Sequence, residues 1–265
     1  MAGKVLAVAN EKGGVGKTTC AVQLGFELAE MGCCVCIIDN DSSGDATTAL
    51  CGEDIPNSIL AGNKPEGISN TIKMYTADSE FTPIEVAENF FLMGATDALS
   101  VLKGADMDPA YEFCDSIEML SEKFDYIIID CPPSFGLLFT SAMLSSSGGG
   151  VMIPMIPDDL SFKAAKKVAN RIDQMNRRMK IDLQIIGIVA NKVVNNPMPQ
   201  SVKHYLGRMN EEFGALIFET HINQTVKVSD AIALQEKVST YAKPDSKAAL
   251  QIVSLTKEII TRLGA

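Results

Sequence analysis

Two lysines flank three glycines in the stretch Glu11-Lys12-Gly13-Gly14-Val15-Gly16-Lys17-Thr18-Thr19. Glycines let backbone N–H groups converge on an anion with no Cβ in the way. A helix starting at the end of such a turn adds free N–H groups and the positive end of its dipole. Lys17 is expected to reach the β- and γ-phosphates of a nucleotide, and the Thr18 hydroxyl to hold Mg²⁺. Downstream, Asp39 and Asp41 stand one residue apart, and Asp130 closes the apolar run Ile127-Ile128-Ile129. Carboxylates just past strand ends lie where α/β sheets bind their ligands. Asp130 there would hold Mg²⁺ through the waters that ion keeps. The chemistry these residues suit is phosphate binding and phosphoryl transfer.

The elements that must carry them can be read from periodicity. Residues 5–9 form a continuous apolar run, and residues 18–31 place Ala21, Leu24, Leu28 and Met31 at helical spacing. That is a buried strand, a glycine turn and an amphipathic helix. Further strands are expected at 33–39, 68–75, 90–95, 127–130, 148–156 and 185–190. Helices are expected at 46–50, from about 97, and at 109–123, 159–179 and 248–263. Residues 52–67, rich in Gly, Pro, Asn and acid, read as a surface loop. The unbroken apolar run at 127–129 suits a central parallel strand covered on both faces. In the last helix Leu250, Val253, Ile260 and Leu263 are expected to pack. The alternation predicts a doubly wound α/β fold, a mostly parallel sheet with helices on both faces.

At 265 residues with 46% apolar content the chain can bury a sizeable core, and residues 1–265 read as one domain. No stretch reaches the ~18 apolar residues of a membrane span, and no signal pattern opens the chain. Seven cysteines without paired spacing fit a reducing compartment and a cytoplasmic protein. Cys34 and Cys36 alternate along the strand at 33–39 and read as packing rather than as metal ligands. Net charge is −10, unevenly spread. Residues 1–150 carry 7 Lys/Arg against 22 Asp/Glu, whereas residues 151–265 carry 16 against 11. One acidic and one basic surface are implied. Lys163, Lys167, Arg171 and Arg178 line one face of the helix at 159–179. Such a stripe suits either a solvated face or a face that tracks phosphates.

The spelling Lys12-Gly13-Gly14-Val15-Gly16-Lys17-Thr18-Thr19 resembles the deviant phosphate loop (Walker A) of the ParA/MinD family of P-loop ATPases. Glu11 stands where the standard loop has its first glycine, and Lys12 is the family's extra lysine. Asp39-Asn40-Asp41-Ser42-Ser43-Gly44-Asp45 is similar to its Asp-x-Asp-Pro-Gln-Gly-Asn, with Ser42-Ser43 for Pro-Gln. Asp130-Cys131-Pro132-Pro133, with Gly136-Leu137-Leu138 after it, resembles its Walker B strand end. Residues 221–231 and 243–249 resemble the segments that carry DNA-binding arginines in partition members. Lys227 and Lys247 replace two of those arginines, while Asn223-Gln224 replaces a Pro-Arg.

The resemblance implies ATP and Mg²⁺ as cofactors, with slow, partner-stimulated hydrolysis. It implies catalytic roles for Lys12, Lys17 and Asp41, the last placing the attacking water. It also implies phosphate contacts from Lys12 through Thr19, an adenine contact from Asn191, and Mg²⁺ on Thr18, Asp39 and Asp130. Lys12 would reach into the second subunit of an ATP-bound homodimer. That dimer would bind DNA non-specifically through Lys227, Lys247 and the stripe Lys163, Lys167 and Arg171. A DNA-bound ParB-like protein would trigger hydrolysis in nucleoid-associated plasmid or chromosome segregation. The last helix lacks the basic, aromatic character of MinD-type membrane anchors, so no membrane partner is expected. The alternatives are a MinD-like positioning ATPase without DNA, an iron–sulfur or metabolic member of the superfamily, and a scaffold that binds ATP without hydrolysing it.

Overall fold

In the computed structural model, residues 2–264 are described. The strands are β1 (Lys4–Val8), β2 (Val35–Asp39), β3 (Ile84–Ala87), β4 (Phe90–Met93), β5 (Tyr126–Asp130), β6 (Gly150–Met155) and β7 (Ile185–Ala190). The helices are α1 (Lys17–Glu30), α2 (Asp45–Cys51), α3 (Asn57–Leu60), α4 (Asp108–Ser121) and α5 (Leu137–Ser145), then α6 (Asp159–Met179), α7 (Gln200–Phe213), α8 (Val226–Ala233), α9 (Val238–Ala242) and α10 (Lys247–Leu263).

The strands form one sheet in the order β3-β4-β2-β5-β1-β6-β7. Every pairing is parallel except β3 with β4, an antiparallel edge. β5 occupies the centre, and its Ile127, Ile128 and Ile129 are fully buried, as a strand covered on both faces must be. Two hydrophobic layers flank the sheet. Ile127 and Ile129 share one with Phe113, Phe139 and Val168, and Ile128 shares the other with Leu24, Leu28 and Ile252. This is the doubly wound α/β arrangement.

Departures from the expected elements have local causes. Residues 68–75 contain a 3₁₀ turn at Thr71–Tyr75 instead of a strand. Asn70 caps that turn, its side chain accepting from the Ile72 N–H, and its amide donates to Ile59 O and Thr96 Oγ1. The helix expected from about 97 is likewise 3₁₀, at Asp97–Leu102. Within 52–67 the short helix α3 buries Ile59 completely. On α10 the packing face is Ile252, Leu255, Ile259 and Leu263, while Leu250 is 53% exposed and Val253 and Ile260 are half-buried. Alanines 248 and 249 sit on the buried side, and of the four expected residues Leu263 is on the packing face while Ile260 lies at its margin. Cys34 and Cys36 pack into the same layer, and Cys33 into the opposite one.

Candidate nucleotide site

The loop between β1 and α1 opens at the carboxyl edge of the sheet, beside the ends of β2, β5, β6 and β7. Gly16, just before α1, has φ 94°, and a Cβ there would lie 2.2 Å from Asn191 Nδ2. Both the dihedral and the space demand glycine. Gly14 is left-handed too, at φ 73°, and a Cβ on Gly13 or Gly14 would meet nothing within 4 Å. No side chain caps α1, so its first N–H groups are free to receive an anion.

The loop is braced from several strands. Asn191 Nδ2 donates to the Val15 carbonyl at 2.7 Å, and Lys192 Nζ to the Gly14 carbonyl at 2.8 Å. Asn10 Nδ2 donates to Pro154 O at 2.7 Å, while its Oδ1 accepts from the Lys12 N–H at 2.9 Å. Asn191 thereby spends its amide on the loop at the rim of a pocket of about 220 Å³ that also touches Thr19 and Gln224.

Thr18 Oγ1 donates to Asp130 Oδ2 at 2.6 Å. Asp130 is 1% exposed, and its Oδ1 is buried without a hydrogen-bond partner among the described residues. Burial, with the Asp39 carboxylate as the next cause, pushes Asp130 up to about 8, while Thr18 and Lys17 oppose the rise. An orphaned carboxylate oxygen beside a threonine hydroxyl fits the oxygen donors that Mg²⁺ takes. Lys17 is itself buried, at 8% exposure, and close enough to favour the charged carboxylate.

Asp39 is fully buried. Its Oδ2 accepts from the Thr47 N–H and Oγ1, both at 2.7 Å, and its Oδ1 from the Asp41 N–H at 3.3 Å. Burial raises it to about 6 against these hydrogen bonds. Thr47 Oγ1 in turn accepts from the Ala95 N–H, so Asp39 ties the start of α2 to the end of β4. Asp41 is half-buried, and its Oδ1 accepts from the Ser43 N–H at 3.1 Å.

Lys12 Nζ rests on its own chain, 2.8 and 3.0 Å from the two carboxylate oxygens of Asp158. Asp158 caps α6, accepting from the Ser161 N–H at 2.7 Å. Partial burial would raise Asp158, but Lys12 and the Ser161 amide outweigh it and hold the carboxyl below its usual range.

The proposed DNA residues divide. Lys163 pairs with Asp159 at 2.5 Å and Lys167 with Glu11 at 2.9 Å, and Arg171 is half-buried with an unpartnered Nε. Lys227 and Lys247 are exposed and make no ion pair among the described residues. Lys12 through Thr19, Asp39, Asp41, Asp130 and Asn191 converge on one edge, and Lys227 and Lys247 lie on separate helices.

Asn10, Thr47, Asp158 and Lys192 were not singled out by sequence reasoning for the parts they take. Asn10 and Asp158 follow the ends of β1 and β6, and that position is itself a signal. Lys192 meets Gly14 across 178 residues and leaves no local trace.

A family model described as "AAA domain" matches residues 3–185. The sporulation initiation inhibitor protein Soj of Bacillus subtilis is 28% identical over 269 residues, covering 97% of this chain and 98% of that protein. The chromosome partitioning protein ParA of Caulobacter vibrioides is 27% identical over 276 residues, covering 98% of this chain and 94% of that protein. A solved McdA–ATP complex from Cyanothece superposes with a TM-score of 0.79 at 20% identity, covering 100% of this chain and 97% of the other. With an open glycine loop ahead of α1, and likeness over nearly its whole length, the chain belongs to the AAA-domain family and, within it, to the ParA/MinD-type ATPases.

Proposed function

We propose that this chain, one domain over residues 1–265, is a Mg²⁺-dependent ATPase that dimerises on ATP and partitions DNA, which it binds non-specifically in the ATP state. The observation that carries this is the pairing of an open phosphate loop with an orphaned Asp130 oxygen beside Thr18. Backbone amides of Gly13 through Thr19 fix the phosphates, and Lys17 neutralises charge developing on the γ-phosphoryl oxygens. Mg²⁺, held by Thr18 directly and by Asp130 through water, would supply further neutralisation of the phosphates when bound. Asp39 shapes the loop around that shell, and Asp41 orients the water that attacks the γ-phosphorus in line. The two carboxylates raised by burial, Asp39 and Asp130, are engaged by Thr47 and Thr18, and leaving the water to Asp41 suits a slow cycle quickened by a DNA-bound, ParB-like partner.

Lys12 is the element that makes the cycle bimolecular. Its part-buried pair with Asp158 is a charge-assisted contact, of the same class as one to a phosphate oxygen, each worth about 1.5–3 kcal/mol. In a dimer Lys12 would exchange Asp158 for a nucleotide of the second copy, one charge-assisted contact for another. The pocket beside Thr19 would take the adenine, with Asn191, its side chain held by Val15 and Lys192, forming part of the wall.

For DNA, the support is the free charge of Lys227 and Lys247 in the basic half, doubled by dimerisation. Lys163 and Lys167 would have to leave Asp159 and Glu11 to contribute, and Arg171 is half-buried. Those internal pairs favour a second reading, a MinD-like positioning ATPase whose cargo is a protein. DNA binding measured with ATP, ADP and no nucleotide across a salt series separates the two. Partitioning in association with the nucleoid predicts ATP-dependent, sequence-independent affinity whose log–log salt slope flattens by about one unit per phosphate contact removed. Lys227→Glu with Lys247→Glu should weaken binding and flatten that slope. Absence of salt-sensitive binding by wild-type protein with ATP would leave the positioning role.

A further inference from the structure

Asn40 stands between Asp39 and Asp41, yet its side chain is fully buried and works on the opposite layer of the sheet. Tyr75, 4% exposed, places its hydroxyl 2.7 Å from Asn40 Oδ1 and 2.6 Å from Ser141 Oγ. Asn40 Nδ2 donates to the Leu138 carbonyl at 2.8 Å. Asn40 Oδ1 can only accept, so Tyr75 donates to it, Asn40 donates to Leu138, and the single Ser141 proton is shared between Tyr75 and the Leu138 carbonyl 2.9 Å away. Leu138 and Ser141 both lie in α5, just after the Asp130-Cys131-Pro132-Pro133 turn. The Asn40 N–H completes the seam by donating to the Asp130 carbonyl at 3.0 Å.

The loop that carries Asp41 is thus clamped from both layers. Asp39 fixes it to Thr47 and α2 on one side, and Asn40 fixes it to Tyr75 and α5 on the other. Tyr75 is itself held, its ring stacked on Phe113 with centroids 4.6 Å apart. A hydrogen bond between buried neutral groups is worth little to stability but fixes geometry, and its unmade partner is costly.

We propose that Tyr75, Asn40 and Ser141 form a positioning unit that sets the carboxylate of Asp41 for the hydrolytic water and couples its loop to the turn after β5. None of the three touches the phosphate loop, so they act through Asp41 and not on nucleotide affinity. The proposal rests on Asp41 orienting the attacking water in an ATPase.

Steady-state ATP hydrolysis, nucleotide affinity and thermal midpoint are to be measured together on wild type, Tyr75→Phe, Ser141→Ala and Tyr75→Phe/Ser141→Ala. Tyr75→Phe removes one oxygen and keeps the ring on Phe113. It is expected to lower kcat about tenfold with KM and ATP affinity unchanged. Ser141→Ala should have a smaller effect in the same direction, and the double variant should match Tyr75→Phe, because the three groups act as one chain. Unchanged kcat in Tyr75→Phe, or a loss of ATP affinity and thermal midpoint that accounts for the whole rate loss, overturns the positioning unit and leaves the ATPase standing. Wild-type protein that binds Mg-ATP and never hydrolyses it overturns both.

Discussion

At the scale of single residues, the site turns on groups whose burial is expensive without a ligand. Asp130 is a buried carboxyl with one satisfied oxygen, raised to about 8 by burial and by Asp39. A cation in reach relieves that cost, which is why removal of Asp130 should be felt in turnover. Asp130→Ala is expected to lose Mg²⁺-dependent hydrolysis by at least about 100-fold in a phosphate-release assay. A parent rate would displace it from the metal site. Lys17→Ala removes a charge-assisted phosphate contact, and nucleotide affinity measured by titration should fall about 10- to 100-fold. Asp41→Ala, in contrast, should slow hydrolysis and spare ATP binding. These residues were legible because each lies in a contiguous motif at a strand end. Asp158 was legible only as a helix opener, since its meeting with Lys12 spans 146 residues. Asn40 carried no signal of its role, because its hydrogen-bond partner Tyr75 lies 35 residues away.

At the scale of elements, periodicity located the parallel strands and the helices α1, α4, α6 and α10, since buried parallel strands carry continuous apolar runs, but it missed the 14-residue α7. It failed where a polar side chain decided the backbone, as Asn70 does in capping the turn at Thr71–Tyr75. It placed Leu263 correctly but shifted the rest of the α10 face, because alanine carries little hydrophobic signal although Ala248 and Ala249 open the buried side. Ile252→Ala should therefore cost about 2–5 kcal/mol in denaturant unfolding, and Leu250→Ala within about 0.5. Equal losses would put the expected face back in contact. On α1, Glu27 is 2% exposed and raised above its ordinary 4.5, chiefly by burial, with Lys237 opposing and Glu30 adding to the rise. A raised carboxyl binds its proton more tightly in the folded state, so its contribution to stability is lost as pH rises through the folded value. Glu27→Gln should raise the thermal midpoint at neutral pH, with the gain shrinking as pH falls toward 4.5. A gain independent of pH would mean that Glu27 is not the titrating group.

At the scale of the whole molecule, the proposed cycle has Lys12 link the fold to assembly. Lys12 sits on Asp158 in the single chain, in a part-buried ion pair with both carboxylate oxygens. The open face of the phosphate loop, the acidic first half and the basic second half all bear on what a second copy would meet. DNA affinity, if the partitioning role holds, depends on bringing Lys227 and Lys247 of two copies to one face, so dimerisation stands upstream of it. Sedimentation velocity with Mg-ATP, compared between wild type and Lys12→Ala, therefore tests the ATP-switched dimer most directly. Wild-type protein should shift from monomer to dimer with Mg-ATP and remain a monomer with ADP, and Lys12→Ala should stay a monomer while still binding ATP. A Lys12→Ala protein that dimerises on ATP as the wild type does would contradict the cross-subunit role of Lys12, and wild-type protein that stays monomeric with Mg-ATP would contradict the switch itself.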